Sequence, residues 1–265
     1  MPCLYAIGDI HGELGVFQES LLCVDLEDQQ SKLILLGDYI DRGPRGCETL
    51  YFIRDLQKSH PDQVVALMGN HEQMVLEQLF GQDCGLVSDY FQEFQNYLSD
   101  EELDAAAAKY SGEEPMHRRL YLVYREMIRR IREKHRGIWD WLKTLPYYYE
   151  TDSQIFVHAG VYEEAGEYWK WGCENSDFCW KYPYTIGEFY KDIIAGHVGT
   201  SVIAGDSSYH RVYWDRQSHF YLDGTPNVSG RIPVLKYDCG SKVYSSFERV
   251  QREDGSFFWT EYCIR

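Results

Sequence analysis

Five short polar clusters in this chain hold residues able to bind cations and move a proton. They are Gly8-Asp9-Ile10-His11-Gly12, Gly37-Asp38-Tyr39-Ile40-Asp41-Arg42-Gly43, Gly69-Asn70-His71-Glu72, His158-Ala159-Gly160 and Gly196-His197. Asp9 and His11 stand two apart, so a carboxylate and an imidazole can turn onto one transition-metal ion. Asp38 suits a bridge, because two ions about 3.5–4 Å apart need a shared carboxylate. Asn70 offers a neutral amide oxygen, and His158 and His197 each offer an imidazole. His71 is the best general-acid candidate, since histidine alone has an unperturbed pKa close to working pH. Asp41 can hold the His71 ring and stabilise its imidazolium. Arg42 can donate two parallel hydrogen bonds to a phosphate. Glu72 reads as a supporting partner rather than a ligand. The combined chemistry is two-metal hydrolysis, and no nucleophilic Ser or Cys motif competes with it.

Such distant groups converge only if the elements before them deliver them to one place. Each cluster follows a short apolar run: Cys3-Leu4-Tyr5-Ala6-Ile7, Leu33-Ile34-Leu35-Leu36, Val64-Val65-Ala66-Leu67-Met68, Ile155-Phe156-Val157 and Ile193-Ile194-Ala195. Apolar runs that stop at glycine read as buried strands. In open α/β sheets, ligands collect beyond the carboxyl ends of the strands. The first three clusters recur about every 30 residues, the length of a βαβ unit. This predicts strands over 3–8, 33–37 and 63–69, helices around 13–27, 46–59 and 71–80, and parallel pairing.

Residues 83–146 break that rhythm and read as a helical insert or cap within one domain spanning 1–265. Inside it, residues 117–136 carry eight Arg or Lys against two Glu. Leu120, Val123, Tyr124, Met127, Ile128 and Ile131 recur at helical spacing, so one apolar face should pack on the body. The basic face is then solvated or paired with acids. Strand signals return at 154–158, 193–196, 201–204, 211–214, 219–223, 232–238, 243–248 and 257–262. Asp-Gly, Ser-Gly and Cys-Gly steps between several of them read as hairpin turns. His60, His117, His135, His210 and His219 lack a strand-end context and read as structural or surface residues. The aromatic stretches 146–149 and 168–171 read as core.

The chain has 265 residues, 44% of them hydrophobic and 26% charged, with a formal charge of −16. A field of that sign opposes binding to duplex nucleic acid or an anionic membrane. It also opposes an anionic substrate, an effect that bound cations would offset locally. No apolar stretch approaches 18 residues, and no signal-like segment opens the chain, so a cytoplasmic location is expected. The eight cysteines are scattered without a Cys-x-x-Cys pair, which fits buried thiols in a reducing compartment.

Taken in order, the five clusters resemble those of the calcineurin-like metallophosphoesterases. Asp41-Arg42 narrows the resemblance to the phosphoprotein phosphatase branch, with the phage lambda phosphatase and the symmetrical diadenosine tetraphosphatases. The resemblance covers about 1–80 and 154–238. It implies a four-layer α/β/β/α sandwich with two divalent cations, manganese first and iron, zinc or magnesium as alternatives. One cation would be held by Asp9, His11 and Asp38, the other by Asp38, Asn70, His158 and His197. His71, backed by Asp41, would protonate the leaving oxygen after in-line attack by a metal-bridging hydroxide, while Arg42 and Asn70 would bind the phosphate. Relatives carry a second phosphate-binding arginine some two dozen residues beyond the counterpart of His158. Here that region reads Asp177-Phe178-Cys179-Trp180-Lys181-Tyr182, leaving Lys181 as the candidate. The implied activity is a metal-dependent phosphatase acting on phosphoserine or phosphothreonine in proteins. The alternatives are a symmetrical bis(5'-nucleosyl)-tetraphosphatase and a non-catalytic scaffold.

Overall fold

The structure is a computed structural model, which describes residues 2–81, 91–252 and 254–265. Its amino-terminal part alternates β1 (Cys3–Ile7), α1 (Leu14–Ser20), β2 (Lys32–Leu35), α2 (Gly46–Ser59), β3 (Val64–Ala66) and α3 (Asn70–Phe80). Then come α4 (Phe91–Gln95), α5 (Asp100–Lys109), α6 (Met116–Lys134) and α7 (Arg136–Leu142). The rest runs β4 (Tyr148–Glu150), β5 (Gln154–Val157), α8 (Trp169–Gly172), α9 (Asn175–Trp180), β6 (Asp192–Ala195), α10 (Thr200–Ala204), β7 (Tyr213–Trp214) and β8 (His219–Tyr221). It closes with α11 (Pro226–Ser229), β9 (Val234–Asp238), β10 (Val243–Gln251) and β11 (Phe257–Cys263).

The strands form two sheets, ordered β11-β10-β9-β1-β2-β3 and β4-β5-β6-β8-β7. β1, β2 and β3 are parallel, as are β5, β6 and β8. Successive side chains of a strand face opposite ways, and the packing follows that alternation. Ala6, Ile34, Phe156, Ile194 and Phe220 meet in the core between the sheets. Their neighbours Ile7, Leu33, Leu35, Val157 and Ile193 join the other cluster, which includes Phe17 of α1, Leu50 of α2 and Val75 of α3. Helices therefore cover the outer faces, giving four α/β/β/α layers.

Several expectations change. Residues 201–204 lie in α10, because the chain turns into a helix directly after Gly199 and ends it at Gly205 with φ 65°. The helix expected over 13–27 stops at Ser20 and continues as one 3₁₀ turn, Leu21–Cys23. Residues 83–90 of the expected insert lie outside the described residues; those from 91 onward are predominantly helical. In α6, Tyr124, Met127, Ile128 and Ile131 are buried, whereas Leu120 is 55% exposed. The basic face is partly paired: Arg129 and Arg130 converge on Glu126 together with Lys109 of α5, and Lys134 reaches Glu102. Among the described residues no helix is long and apolar enough to cross a membrane.

Candidate metal centre

Because β1, β2, β3, β5 and β6 point the same way within their sheets, the loops after them can share one rim. The loops are tied directly by the main chain. The amides of Ile10 and His11 both donate to the Asp38 carbonyl at 2.9 Å, and the Gly196 amide donates to the His158 carbonyl at 2.8 Å. The geometry is costly. His11, Asp38, Asp41, Arg42 and His197 account for five of the eight non-glycine residues with positive φ among the described residues. Left-handed backbone is unfavourable for such residues and persists only where surroundings enforce it. Gly196 makes room for a ligand instead, since a Cβ there would collide with Oδ1 of Asp9.

The side chains converge as the loops do. Ligand atoms of His11, Asp38 and His71 lie within 4.8 Å of one another, as do those of Asp38, His158 and His197. His11 Nε2 is 3.7 Å from Asp9 Oδ2 and 3.8 Å from Asp38 Oδ2. Asn70 Oδ1 lies 2.8 Å from His158 Nε2 and 3.0 Å from His197 Nδ1. Thus Asp9, His11, Asp38, Asn70, His158 and His197 share one buried neighbourhood, with Asp38 common to both groups. The imidazoles are oriented from behind. His11 Nδ1 donates to the Ile40 carbonyl at 2.9 Å, and His158 Nδ1 donates to the Leu36 carbonyl at 3.0 Å. Each bond leaves Nε2 aimed inward, the arrangement usual behind metal-ligating histidines.

The donor set fits divalent cations. Asp9 Oδ2 and His11 Nε2 are buried without a hydrogen-bond partner. Buried polar atoms rarely go unpartnered unless they serve another ligand. Among the protein's own groups, burial and the charges of Asp223 and Asp38 push Asp9 well above the usual carboxylate range. Burial opposes ionisation of Asp38 too, but His158, His71 and His11 hold it below its ordinary value. Burial also opposes protonation of His158, yet Asp38 and Asp9 lift it to about 9. In contrast, burial lowers His11 to about 3, and burial together with His158 lowers His197 to about 4. Clustered carboxylates and imidazoles in a dry site suit cations that hold nitrogen and oxygen together.

Glu72 supports this centre. Its Oε2 accepts from the Asp38 amide at 2.8 Å and the Gly69 amide at 3.1 Å, while Oε1 accepts from the Tyr39 amide at 2.8 Å. His71 stands beside it: Nδ1 is 2.5 Å from Asp41 Oδ2 and Nε2 is 3.7 Å from Asp38 Oδ2. Arg42 is exposed, makes no hydrogen bond or ion pair among the described residues, and its charge acts on His11, His197 and Asp223.

Lys181 lies in a different network. Its ammonium donates to the Val161 carbonyl at 2.5 Å, Glu163 Oε1 at 2.9 Å and Thr185 Oγ1 at 3.3 Å. Three acceptors use all three ammonium donors. Sequence reasoning overlooked Asp223, which is buried next to Asp9 and raised by burial. The available signal is another apolar run, His219–Leu222, ending at Asp223-Gly224. In sequence alone that step spells a hairpin turn, but β8 runs parallel to β6 and delivers Asp223 to the shared rim.

The fold and this centre define a metallophosphoesterase, and the chain belongs to the calcineurin-like phosphoesterase family, whose model matches residues 4–201. It is 28% identical over 162 residues to a symmetrical bis(5'-nucleosyl)-tetraphosphatase of Chromobacterium violaceum, covering 61% of this chain and 44% of that protein. It is 32% identical over 105 residues to a protein phosphatase 2A catalytic subunit of Dictyostelium discoideum, covering 35% of this chain and 32% of that one. The chain thus spans less than half the length of either relative. The cold-active protein-tyrosine phosphatase of a psychrophilic Shewanella species shares the fold, with a TM-score of 0.57 at 17% identity, covering 98% of this chain and 80% of that one.

Proposed function

We propose that this protein is a metal-dependent phosphatase that hydrolyses phosphate monoesters, with phosphoserine or phosphothreonine in proteins as the favoured substrates. The observation that carries the reading is the pair of unpartnered buried atoms, Asp9 Oδ2 and His11 Nε2, facing Asp38 beside the His71–Asp41 pair. Asp9, His11 and Asp38 would hold one divalent cation, and Asp38, Asn70, His158 and His197 the other. Two such cations, with manganese the first choice, would polarise the phosphoryl group and acidify water.

The remaining work falls to the chain's own side chains. Arg42, free of other partners among the described residues, forks onto the phosphoryl oxygens, and the Asn70 side-chain N–H can add a donor. His71 Nε2 gives a proton to the leaving oxygen, while Asp41 fixes the ring through Nδ1 and stabilises its charged form. Lys181, fully engaged elsewhere, is left out of phosphate binding in this reading. The protein acts in the cytoplasm on a soluble phosphorylated partner.

A second reading, a symmetrical dinucleoside tetraphosphatase, is favoured by the longer stretch shared with the Chromobacterium enzyme. Both readings use the same metal ligands and differ in what binds outside them. Comparing kcat/KM of the manganese-loaded protein for phosphopeptides and for diadenosine tetraphosphate separates them. Absence of manganese-stimulated activity on any phosphate ester would leave the scaffold interpretation.

A further inference from the structure

We infer that the protein carries a second binding site, separate from the metal centre, for a small organic anion with an apolar body. The site is the corner where the β10–β11 hairpin overhangs the start of β9. The β9–β10 ladder ends at Leu235 opposite Ser246, whereas β10 and β11 stay paired out to Gln251 opposite Phe257. Together with α1 and the turn after α11, the overhang lines a cavity of about 400 Å³, a size suited to a small molecule. None of the residues assigned to the metal centre lines it.

The walls are cross-braced. Ser20 Oγ donates to the Ile232 carbonyl at 2.8 Å and ties α1 to the segment before β9. Arg249 Nη1 lies 3.2 Å from Glu19 Oε2, joining β10 to α1, and its guanidinium sits 3.9 Å from the centre of the Phe257 ring. Arg211 Nη2 donates to Glu248 Oε1 at 2.5 Å and joins the segment before β7 to β10.

Three of the lining residues hold buried polar atoms without a hydrogen-bond partner: Ser246 Oγ, Trp259 Nε1 and His210 Nδ1. Ser246 as a whole is 1% exposed. Such atoms need the same explanation here as at the metal centre, a partner that the protein itself does not supply. The indole N–H only donates, and the hydroxyl and imidazole can donate. Arg231 adds an exposed guanidinium that makes no hydrogen bond or ion pair among the described residues. Charge runs the same way. Three arginines line the cavity against two glutamates, in a chain with 26 basic and 42 acidic residues. Donors and charge both select an anionic group, carboxylate or phosphate. Ile232, Pro233, Phe247 and Phe257 supply apolar wall for the rest of the ligand.

Calorimetric titration of the manganese-loaded protein with phenylphosphonate, phenylacetate and inorganic phosphate tests the site. The first two place one apolar body on two different anionic groups, and the third lacks the body. At least one phenyl anion should bind with a Kd below about 1 mM. Arg231→Ala should weaken that binding about tenfold, as loss of one charge-assisted contact does, while Arg42→Ala leaves it unchanged. Phosphate binding should not respond to Arg231→Ala. Ser246→Ala should weaken the phenyl anion about threefold and leave Tm of the ligand-free protein unchanged or higher, because a hydroxyl without a partner does not stabilise the fold. Failure of both phenyl anions to bind would overturn the inference. So would binding that Arg42→Ala weakens and Arg231→Ala does not, which belongs to the metal centre, or phosphate binding as sensitive to Arg231→Ala as that of the phenyl anions. A clear fall in Tm in Ser246→Ala would overturn it too, by showing that the hydroxyl is already hydrogen-bonded.

Discussion

His71 Nδ1 donates to Asp41 Oδ2 across 2.5 Å, and the opposite edge of the ring faces Asp38 Oδ2 at 3.7 Å. Burial alone would lower the His71 pKa, but Asp41 and Asp38 outweigh it and raise the group above the ordinary histidine value of 6.5. A proton donor works only while protonated, so a raised pKa keeps His71 active through neutrality. Turnover of an alkyl phosphate should therefore fall on the alkaline side of 6.5. Asp41→Asn removes a group that raises the pKa and should move that fall to lower pH. A kcat–pH profile of the two proteins checks this; superimposed alkaline limbs would separate Asp41 from the acid. His71→Asn should lose roughly a hundredfold or more on the same substrate with metal content near normal.

Cation binding should release protons. Burial lifts Asp9 far above its usual range, and Asp38 and Asp9 lift His158 to about 9 despite its burial. At pH 7 His158 holds a proton that a divalent cation must displace, since ligands bind metal in their deprotonated forms. Manganese affinity should accordingly rise with pH between 6 and 9. Calorimetric titrations in buffers of different ionisation enthalpy measure the released protons directly. Proton-independent binding would show that His158 is not a ligand.

The main features of this centre were legible because their signals are local. An apolar run followed by glycine and a polar residue marks a strand end wherever the strand later pairs, so Asp9, Asp38, Asn70, His158 and His197 could be singled out. Asp223 was missed because the same signal also spells a hairpin turn. Only the parallel pairing of β8 with β6, a non-local fact, separates the two meanings. Lys181 shows how folding adds partners that the sequence does not announce. Its charge and position suggested phosphate binding, but its partners Val161, Glu163 and Thr185 are brought to it by folding. Residues 201–204 illustrate a third limit: a short apolar stretch has no period long enough to distinguish strand from helix.

Glu72 should prove more important to stability than its distance from the chemistry suggests. Its two oxygens accept from three buried amides, those of Asp38, Tyr39 and Gly69. Burial and the charge of Asp38 raise it to about 7. Replacing Glu72 by Gln turns one acceptor into a donor facing buried N–H groups. The cost should be about 2–4 kcal/mol, from leaving buried amides without acceptors. Chemical denaturation measures that loss. Manganese affinity should weaken in parallel, because the Asp38 backbone loses its anchor. A Gln variant as stable as the parent would show that water serves those amides equally well.

The Lys181 network predicts stability effects without catalytic ones. His219 is buried, with Nε2 3.1 Å from Glu163 and Nδ1 3.0 Å from Asp215, while Lys181 closes on Glu163 from the other side. Burial would raise Glu163, but His219, Thr185 and Lys181 hold it at about 2; burial would lower His219, but Glu163 and Asp215 raise it. The depressed Glu163 contributes stability that is present above its unfolded pKa, about 4.3, and lost as pH falls toward 2. The raised His219 contributes stability that is present below its unfolded pKa, about 6.5, and lost as pH rises through its folded value. Both contributions are complete only between those unfolded values, so the network is strongest near pH 5–6. His219→Ala should therefore lower Tm more at pH 5.5 than at pH 9. Lys181→Ala should also lower Tm while leaving KM for a phosphate ester within about twofold, whereas Arg42→Ala should raise KM or lower kcat by tenfold or more, on the order of one lost charge-assisted contact. A large KM increase in Lys181→Ala with unchanged Tm would reverse the assignment and return the lysine to the substrate.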